Sequence, residues 1–383
     1  MKRLIIFILT ILMVSISSFS YGKKVKKQNF KAMAWYTWNE KTVSDDSLRL
    51  EFDKLKQHGI VGICVECGFN FDKVKRCAAV AHSAGLEFHV WAPAMMQVGK
   101  DSTWYTINRL GKSAYNREHR AYVDYYSTLD AHNPAVVQFM VDNYTKLAEI
   151  PNVDYVQLDY IRYADVILSE GLWKKYENKI FHVWRGEDGK VNEYPGADYC
   201  YCEDCVSDFK AKTGIDIKKE VAAGKDPAKN AKWAQFRCDN VTSLVNKICA
   251  AVHAKGKKIS ADVFPGPKSY AVKMVRQEWN KWNVDAFFPM NYNDFYLEPA
   301  SWVRKITKEE VNSTKKPVYS GLFICRDWKR KANIIDPENS GLLPSEMEEA
   351  VSGAWKAGAA GVCLFTPKSM TDAHWEAFEK AMK

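Results

Sequence analysis

Asp154-Tyr-Val-Gln-Leu-Asp-Tyr-Ile-Arg-Tyr163 is the stretch on which the reading of this chain turns. Alternate side chains of a strand face opposite ways, so Tyr155, Gln157 and Asp159 share one face while Val156, Leu158 and Tyr160 share the other. One face is largely apolar and the other carries polar groups that end on a carboxylate. Strands covered on both faces, with ligands bound beyond their carboxyl ends, belong to parallel α/β sheets and barrels. Asp159 is therefore the first candidate for a catalytic group. The plainer alternative is an Asp that caps a turn or pairs with Arg162.

Working outward, the same strand-then-helix rhythm recurs on both sides. Residues 31–38 read as a first strand, followed by the N-cap cluster Ser44-Asp-Asp-Ser47 and an amphipathic helix that stops at Gly59. Residues 60–68 and 87–92 read as further strands, with a helix over 71–85 between them. A long loop, 93–133, precedes a helix that begins at Pro134, where proline suits the first turn. After the opening stretch comes an irregular segment, 164–230, with a short helix over 204–212 closed by Gly214. Regularity returns as helix 233–255, strand 258–264, helix 270–282, strand 285–292, helix 299–311, strand 317–324, helix 344–357, strand 361–366 and a closing helix 372–383. Eight strands alternating with helices predict a (β/α)8 TIM barrel over 31–383, with a long insertion, 164–230, after strand four. A doubly wound open sheet is the alternative, but the first strand-to-helix turn lacks a glycine-rich phosphate fingerprint. The insertion leaves strand four at the end where loops build sites, so it is expected to cover the C-terminal mouth.

The chain is 383 residues long and carries a formal net charge of +9. Met1-Lys-Arg3, the apolar run 4–16 and the small, polar residues 17–22 form the pattern of a secretory signal peptide, too short for a membrane span. Residues 1–22 are expected to be removed, giving an exported product in a periplasm or outside the cell. Residues 23–30 form a basic tail, read as solvated rather than as a nucleic-acid arm. No later run is long and apolar enough to predict a span. With 13 Trp and 19 Tyr, most rings must belong to the core or line a pocket, because exposed rings limit solubility.

Strand alternation sorts polar residues together at several strand ends. His89 and Trp91 share a face, as do Ser260 and Asp262, and Cys64 and Glu66; Asn291 and Tyr292 close strand six. Glu66, Asp159 and Asp262, with a histidine, an amide and aromatic rings, make a plausible catalytic bowl. Paired carboxylates are what glycoside hydrolysis requires, one protonating the leaving oxygen and the other acting as nucleophile or base, with no cofactor required. In the plainer reading Asp262 and Glu66 are axis-facing residues held in ion pairs with Arg162 or Lys268. Asp285, at the start of strand six, reads as structural.

Tyr155-Val-Gln-Leu-Asp-Tyr-Ile-Arg-Tyr163 resembles the strand-four signature of the secreted glycosyl-hydrolase-like family 10. Residues 104–112, Leu129-Asp-Ala-His-Asn-Pro134 and Asp285-Ala-Phe-Phe-Pro-Met-Asn-Tyr292 resemble other parts of that family, and the likeness extends over 31–367. It implies a barrel acting on a glycan, with Asp159 matching the family's essential carboxylate. The chain departs from the family at strand two, where Cys64-Val-Glu-Cys67 replaces a more basic, glycine-rich end. The leading expectation is a secreted hydrolase using Asp159 with Asp262, and Glu66 as a further carboxylate. His89, Trp91, Tyr160, Arg162, Tyr163, Asn291 and Tyr292 are its expected substrate-binding residues. A non-catalytic glycan-binding barrel and a metal-dependent ester or amide hydrolase are the other classes.

Cys200-Tyr-Cys-Glu-Asp-Cys205 brings three thiols together and resembles a segment of related hydrolase-like barrels. Cys200, Cys202 and Cys205 could hold a structural zinc if Cys238, Cys67 or a histidine supplied the fourth ligand. A disulfide, such as Cys202 to Cys205 or one of these to Cys238, competes in an oxidising compartment, and free thiols are the third reading.

Overall fold

The computed structural model describes residues 29–39, 41–179, 184–185, 189–334, 336 and 339–383. The expected signal peptide and most of the basic tail lie outside the described residues. Eight parallel strands form the barrel: β1 (Lys31–Tyr36), β2 (Ile60–Glu66), β3 (Glu87–Pro93), β4 (Tyr155–Asp159), β5 (Lys258–Val263), β6 (Ala286–Pro289), β7 (Tyr319–Phe323) and β8 (Gly361–Phe365). They are hydrogen-bonded in the order β6-β5-β4-β3-β2-β1-β8-β7. The two ends of that row meet through parallel bridges, Phe287 to Val318 and Met290 to Gly321, so the sheet curls round to a nearly closed ring.

Alternation along each strand makes two cores. Met33, Trp35, Cys64, Trp91, Phe288, Tyr319 and Cys363 pack inside the ring. Ala32, Ala34, Ile63, Val65, Phe88, Val90, Val156, Leu158, Ile259, Ala261, Leu322 and Leu364 face outward against the helices. The inner residues fill the barrel rather than lining a pore, as expected for eight strands.

The helices follow local signals. In α1 (Asp45–Gln57) the Ser44 side chain caps the amide of Ser47, and Asn133 does the same for Ala135 ahead of α3 (Pro134–Ala148). α2 (Phe71–Ser83) is capped by Asn70. The stretch expected as an insertion holds a small antiparallel hairpin, Trp184–Arg185 with Val191–Asn192, and two helices, α4 (Glu203–Thr213) and α5 (Ile217–Ala222). Gly214 ends α4 at φ 75°, a left-handed conformation that favours glycine. The long α6 (Ala231–Ala254) follows, and α8 (Trp302–Ser313), α9 (Met347–Ala357) and α10 (Asp372–Met382) complete the outer ring.

One expected helix, 270–282, is instead broken. A π-turn at Pro267–Ala271 leads into the single-turn α7 (Val272–Val275), which stops where Arg276 adopts φ 60°. The reason is a competing set of inward bonds. The Gln277 side chain accepts the amide of Phe264 at 2.8 Å and donates to the carbonyl of Ile161, while the Trp279 indole donates to the carbonyl of Phe264 at 3.1 Å. These side chains anchor the turn after β5 to the end of β4, which a continuous helix would not allow.

Candidate active site

A cavity of about 450 Å³ opens at the C-terminal ends of the strands. Every strand contributes to it: Trp35 and Thr37 at β1, Glu66 at β2, Trp91 at β3, Asp159 at β4, Asp262 at β5, Met290 beyond β6, Phe323 at β7 and Phe365 at β8. Beyond the strands it has two aromatic walls. Tyr122, Tyr125, Tyr126, Tyr160 and Tyr176 form a phenolic side, and Tyr292, Phe295, Phe323 and Phe365 a mainly apolar one. On the apolar side Tyr292 stacks on Phe365 with ring centres 5.8 Å apart. Arg162, Asp165, Ser169, Leu172, Lys175 and Tyr176, from the chain following β4, also border the cavity. A second hollow of about 440 Å³, bordered by residues 326–330 and 371–373, contains none of the residues singled out from the sequence.

Two buried carboxylates lie side by side in the floor. The β4–β5 pairing puts Gln157 opposite Ser260 and Leu158 opposite Ala261, so Asp159 and Asp262 follow at the same level on neighbouring strands. Asp159 accepts the Trp91 indole N–H at 2.8 Å on one oxygen and the Tyr160 amide at 2.6 Å on the other. The second bond depends on Tyr160 turning the chain at φ 47°, an uncommon conformation for a residue with a side chain. Burial pushes the Asp159 carboxyl up to about 6, against the lowering effect of those two bonds and of Arg162; the nearby charge of Glu66 adds to the rise.

Asp262 accepts the Trp35 indole N–H at 3.0 Å and the Gln157 amide at 2.7 Å, both on Oδ1. Its Oδ2 has no hydrogen-bond partner among the described residues. Burial, and then the charge of Asp159, hold this carboxyl well above the usual range. The Asp262 pairing with Arg162 or Lys268 weighed from the sequence does not form. Glu66 stands exposed at the rim, with no hydrogen-bond or ion-pair partner among the described residues.

Arg162 is not the partner of Asp159 either. Its guanidinium donates to Asp165 at 3.0 Å, to the Tyr126 hydroxyl at 2.8 Å and to the Tyr163 carbonyl at 3.0 Å. Tyr122 and Tyr126 both donate to Asp165, at 3.1 and 3.0 Å. The guanidinium also lies over the rings of Phe264, Tyr126 and Tyr160, at 4.7 to 5.4 Å. This buried network joins the loop after β3 to the loop after β4 at the cavity edge.

Three expected substrate-binding residues lie elsewhere. His89 is inside the barrel but one layer below Trp91. Its ring stacks on Tyr155 at 4.1 Å and bonds Ser260 and Glu87, and burial lowers its pKa against the raising effect of Glu87. Asn291 turns away from the cavity, with its amide donating to Glu310 at 3.0 Å, Ser320 at 2.8 Å and Thr307 at 3.3 Å. Tyr163 is buried behind the wall. Trp91, Tyr160, Arg162 and Tyr292 do border the cavity, as expected. Trp35, Asp165 and the tyrosines of 122–126 were not singled out. Trp35 has the parity of Met33 on the first strand, and Tyr122-Val-Asp-Tyr-Tyr126 is an aromatic cluster in an otherwise polar loop; both signals were present in the sequence.

The cysteine cluster lies outside the cavity lining. Asp130, Cys200, Cys202 and Cys205 each offer one ligand atom, and these four atoms lie within 4.8 Å of one another. Neither Cys67 nor Cys238 belongs to the group, and no disulfide joins the cysteines.

No family model matches the sequence, and no curated protein matches it. Solved structures do match. The chain is similar to the PgaB (BpsB) glycoside hydrolase domain from Bordetella bronchiseptica, with a TM-score of 0.64 at 11% identity, covering 92% of this chain and 99% of that one. It is also similar to the catalytic domain of beta-amylase from Paenibacillus polymyxa, with a TM-score of 0.58 at 13% identity, covering 92% and 98%. At these identities the likeness shows a common fold: the chain is a (β/α)8 barrel of the form seen in glycoside hydrolase domains.

Proposed function

We propose that the protein is an exported glycoside hydrolase that cleaves a poly- or oligosaccharide with Asp159 and Asp262. The observation that carries this reading is the pair of buried carboxylates, both raised in pKa, on neighbouring strands beneath an aromatic-walled cavity at the catalytic end of the barrel. Two interacting carboxyls share protons unequally. Asp159, which accepts two N–H bonds and lies near Arg162, is the ionised member; Asp262 is the protonated one, with Oδ2 free to carry the proton. Asp262 then protonates the leaving oxygen, and Asp159 acts as nucleophile or base. Aromatic rings on both walls offer apolar faces to sugar rings, while the phenol hydroxyls, Arg162 and Lys175 offer polar groups to sugar hydroxyls. The barrel shared with glycoside hydrolase domains and the resemblance to glycosyl-hydrolase-like family 10 favour the same substrate class. A metal-dependent ester or amide hydrolase is disfavoured because the cysteine cluster borders no part of the cavity.

The test is a glycan panel that includes bacterial cell-wall strands and plant and host polysaccharides, digested with the wild type and with Asp159→Asn. Release of reducing ends by the wild type, lowered by about 10³-fold or more in the variant with binding retained, is expected. Binding without turnover by the wild type would make the protein a glycan-binding barrel instead.

A further inference from the structure

We propose that Asp130, Cys200, Cys202 and Cys205 form a tetrahedral structural site for a divalent, thiolate-preferring metal ion of the zinc type, and that this ion ties together the two loops that build the cavity wall. The proposal is independent of the substrate. The first argument is geometric. An ion at about 2.3 Å from sulfur and about 2.0 Å from oxygen, in tetrahedral coordination, sets sulfur-to-oxygen edges of about 3.5 Å. From Asp130 Oδ2 the three sulfurs stand at 3.5 Å (Cys200), 3.0 Å (Cys202) and 3.6 Å (Cys205). Three thiols and one carboxylate make a complete four-ligand set with no position left open, the mark of a structural rather than a catalytic site.

The second argument is the setting of the ligands. Metal-bound sulfur is a thiolate, which gains from backbone N–H donors. Cys200 Sγ is approached by the amides of Ile107 and Cys202 at 3.4 Å, and Cys202 Sγ by the amide of Cys205 at 3.4 Å, the last at the N-terminus of α4. Asp130 is oriented by the His132 amide, which donates to its Oδ1 at 3.0 Å and leaves Oδ2 turned to the sulfurs. The Tyr163 hydroxyl, almost wholly buried, has no hydrogen-bond partner among the described residues, and the ionisable groups acting on it are Asp130 and the three cysteines. A buried hydroxyl without a partner is unfavourable.

The placement shows what the ion would do. Asp130 ends the loop after β3, the cysteines belong to the chain after β4, and Tyr163 follows Arg162 in the cavity wall. A backbone bridge between Asn108 and Tyr199 joins the same two segments, with the Arg109 amide donating to the Asp198 carbonyl at 2.9 Å and the Tyr201 amide to the Ile107 carbonyl at 2.7 Å. The ion would thus hold the tyrosine-bearing loop against the segment that carries Arg162.

The test uses the full chain as exported, purified without added metal. Its metal content is measured by plasma mass spectrometry after gel filtration, and its absorption spectrum is recorded after exchange with Co2+. About one equivalent of Zn2+ per chain is expected, and Co2+ should give thiolate-to-metal charge-transfer absorption with the intense visible bands of a four-coordinate site. Asp130→Ala and Cys202→Ser should lower metal retention by about tenfold or more, whereas Cys325→Ser should retain it. Should the cluster variants fail to fold, the wild-type spectrum decides alone. A folded wild type that takes up neither ion, a Co2+ spectrum without thiolate bands, or peptide mapping that finds two of the three cysteines in a disulfide would each overturn the proposal.

Discussion

Asp159 and Trp91 show how a single side chain can be set by its neighbour. An acid whose pKa is higher in the folded than in the unfolded state holds its proton more tightly when folded. It therefore favours folding below its unfolded value of 3.8 and costs stability as pH rises through its folded value of about 6. The full cost near pH 7 is about 3 kcal/mol. Asp159→Asn removes it, at the expense of one of the two N–H bonds, so the variant should gain stability relative to the wild type between pH 4 and 7. Urea melts of both proteins at the two pH values test this, and a variant that loses ground at pH 7 marks Asp159 as a structural anion. Trp91→Phe acts in the opposite direction on the same group. Without the indole N–H the charged form of Asp159 is less favoured, so the acid limb of kcat/KM, expected near 6, should move up by about one pH unit. An unmoved limb would detach that limb from Asp159.

At the scale of elements, the cavity is made by loops that meet, and the contact is buried charge. Arg162 and Asp165 from the loop after β4 interlock with Tyr122 and Tyr126 from the loop after β3. Asp165→Asn leaves the Arg162 cation buried without its counter-charge, which should lower stability by about 3–5 kcal/mol as read from denaturant melts at pH 7. The contrast with Asp159→Asn is the informative part: two carboxylates six residues apart, one whose loss destabilises the fold and one whose loss relieves it. Equal effects would show that Arg162 is shared between them. Asn291 is another case in which packing between elements decides a role. It follows β6, but its amide is taken up by Glu310 and Thr307 of α8 and Ser320 of β7, so it joins those elements beneath the cavity instead of binding a ligand within it.

For the whole molecule, closing the ring brings residues from all eight strand ends to one cavity, so groups separated by more than three hundred residues, such as Trp35 and Phe365, become neighbours with ring centres 5.8 Å apart. Among the described residues no helix is long and apolar enough to cross a membrane. The basic start, apolar run and small-residue boundary of residues 1–22 lead us to expect export with cleavage. N-terminal sequencing of the protein recovered from the periplasm or medium should begin near Lys23, and a mature chain that begins at Met1 would refute this.

Periodicity in the sequence was enough to determine the run of alternating strands and helices, because each strand's inward and outward residues follow from a period of two and each helix from its caps; Trp35, Trp91 and Asp262 point inward and Val90, Leu158 and Ala261 outward for that reason alone. It also placed Asp159 and Asp262 on the polar face of their strands. Closure into a barrel rather than an open sheet was decided by the bridges that join the first and last strands of the row. Periodicity says which face a residue is on, but not how far along the axis it lies or what reaches it from another loop. His89 and Trp91 have the same parity, yet one layer of stagger sends one to the packed interior and the other to the cavity. The partner of Arg162 is chosen over Asp159 by how the chain turns after Tyr160, and the fourth member of the cysteine group is Asp130, about seventy residues earlier, because two loops dock against each other. Those outcomes depend on contacts distant in sequence, for which a local pattern carries no signal, and only the tertiary structure decided them.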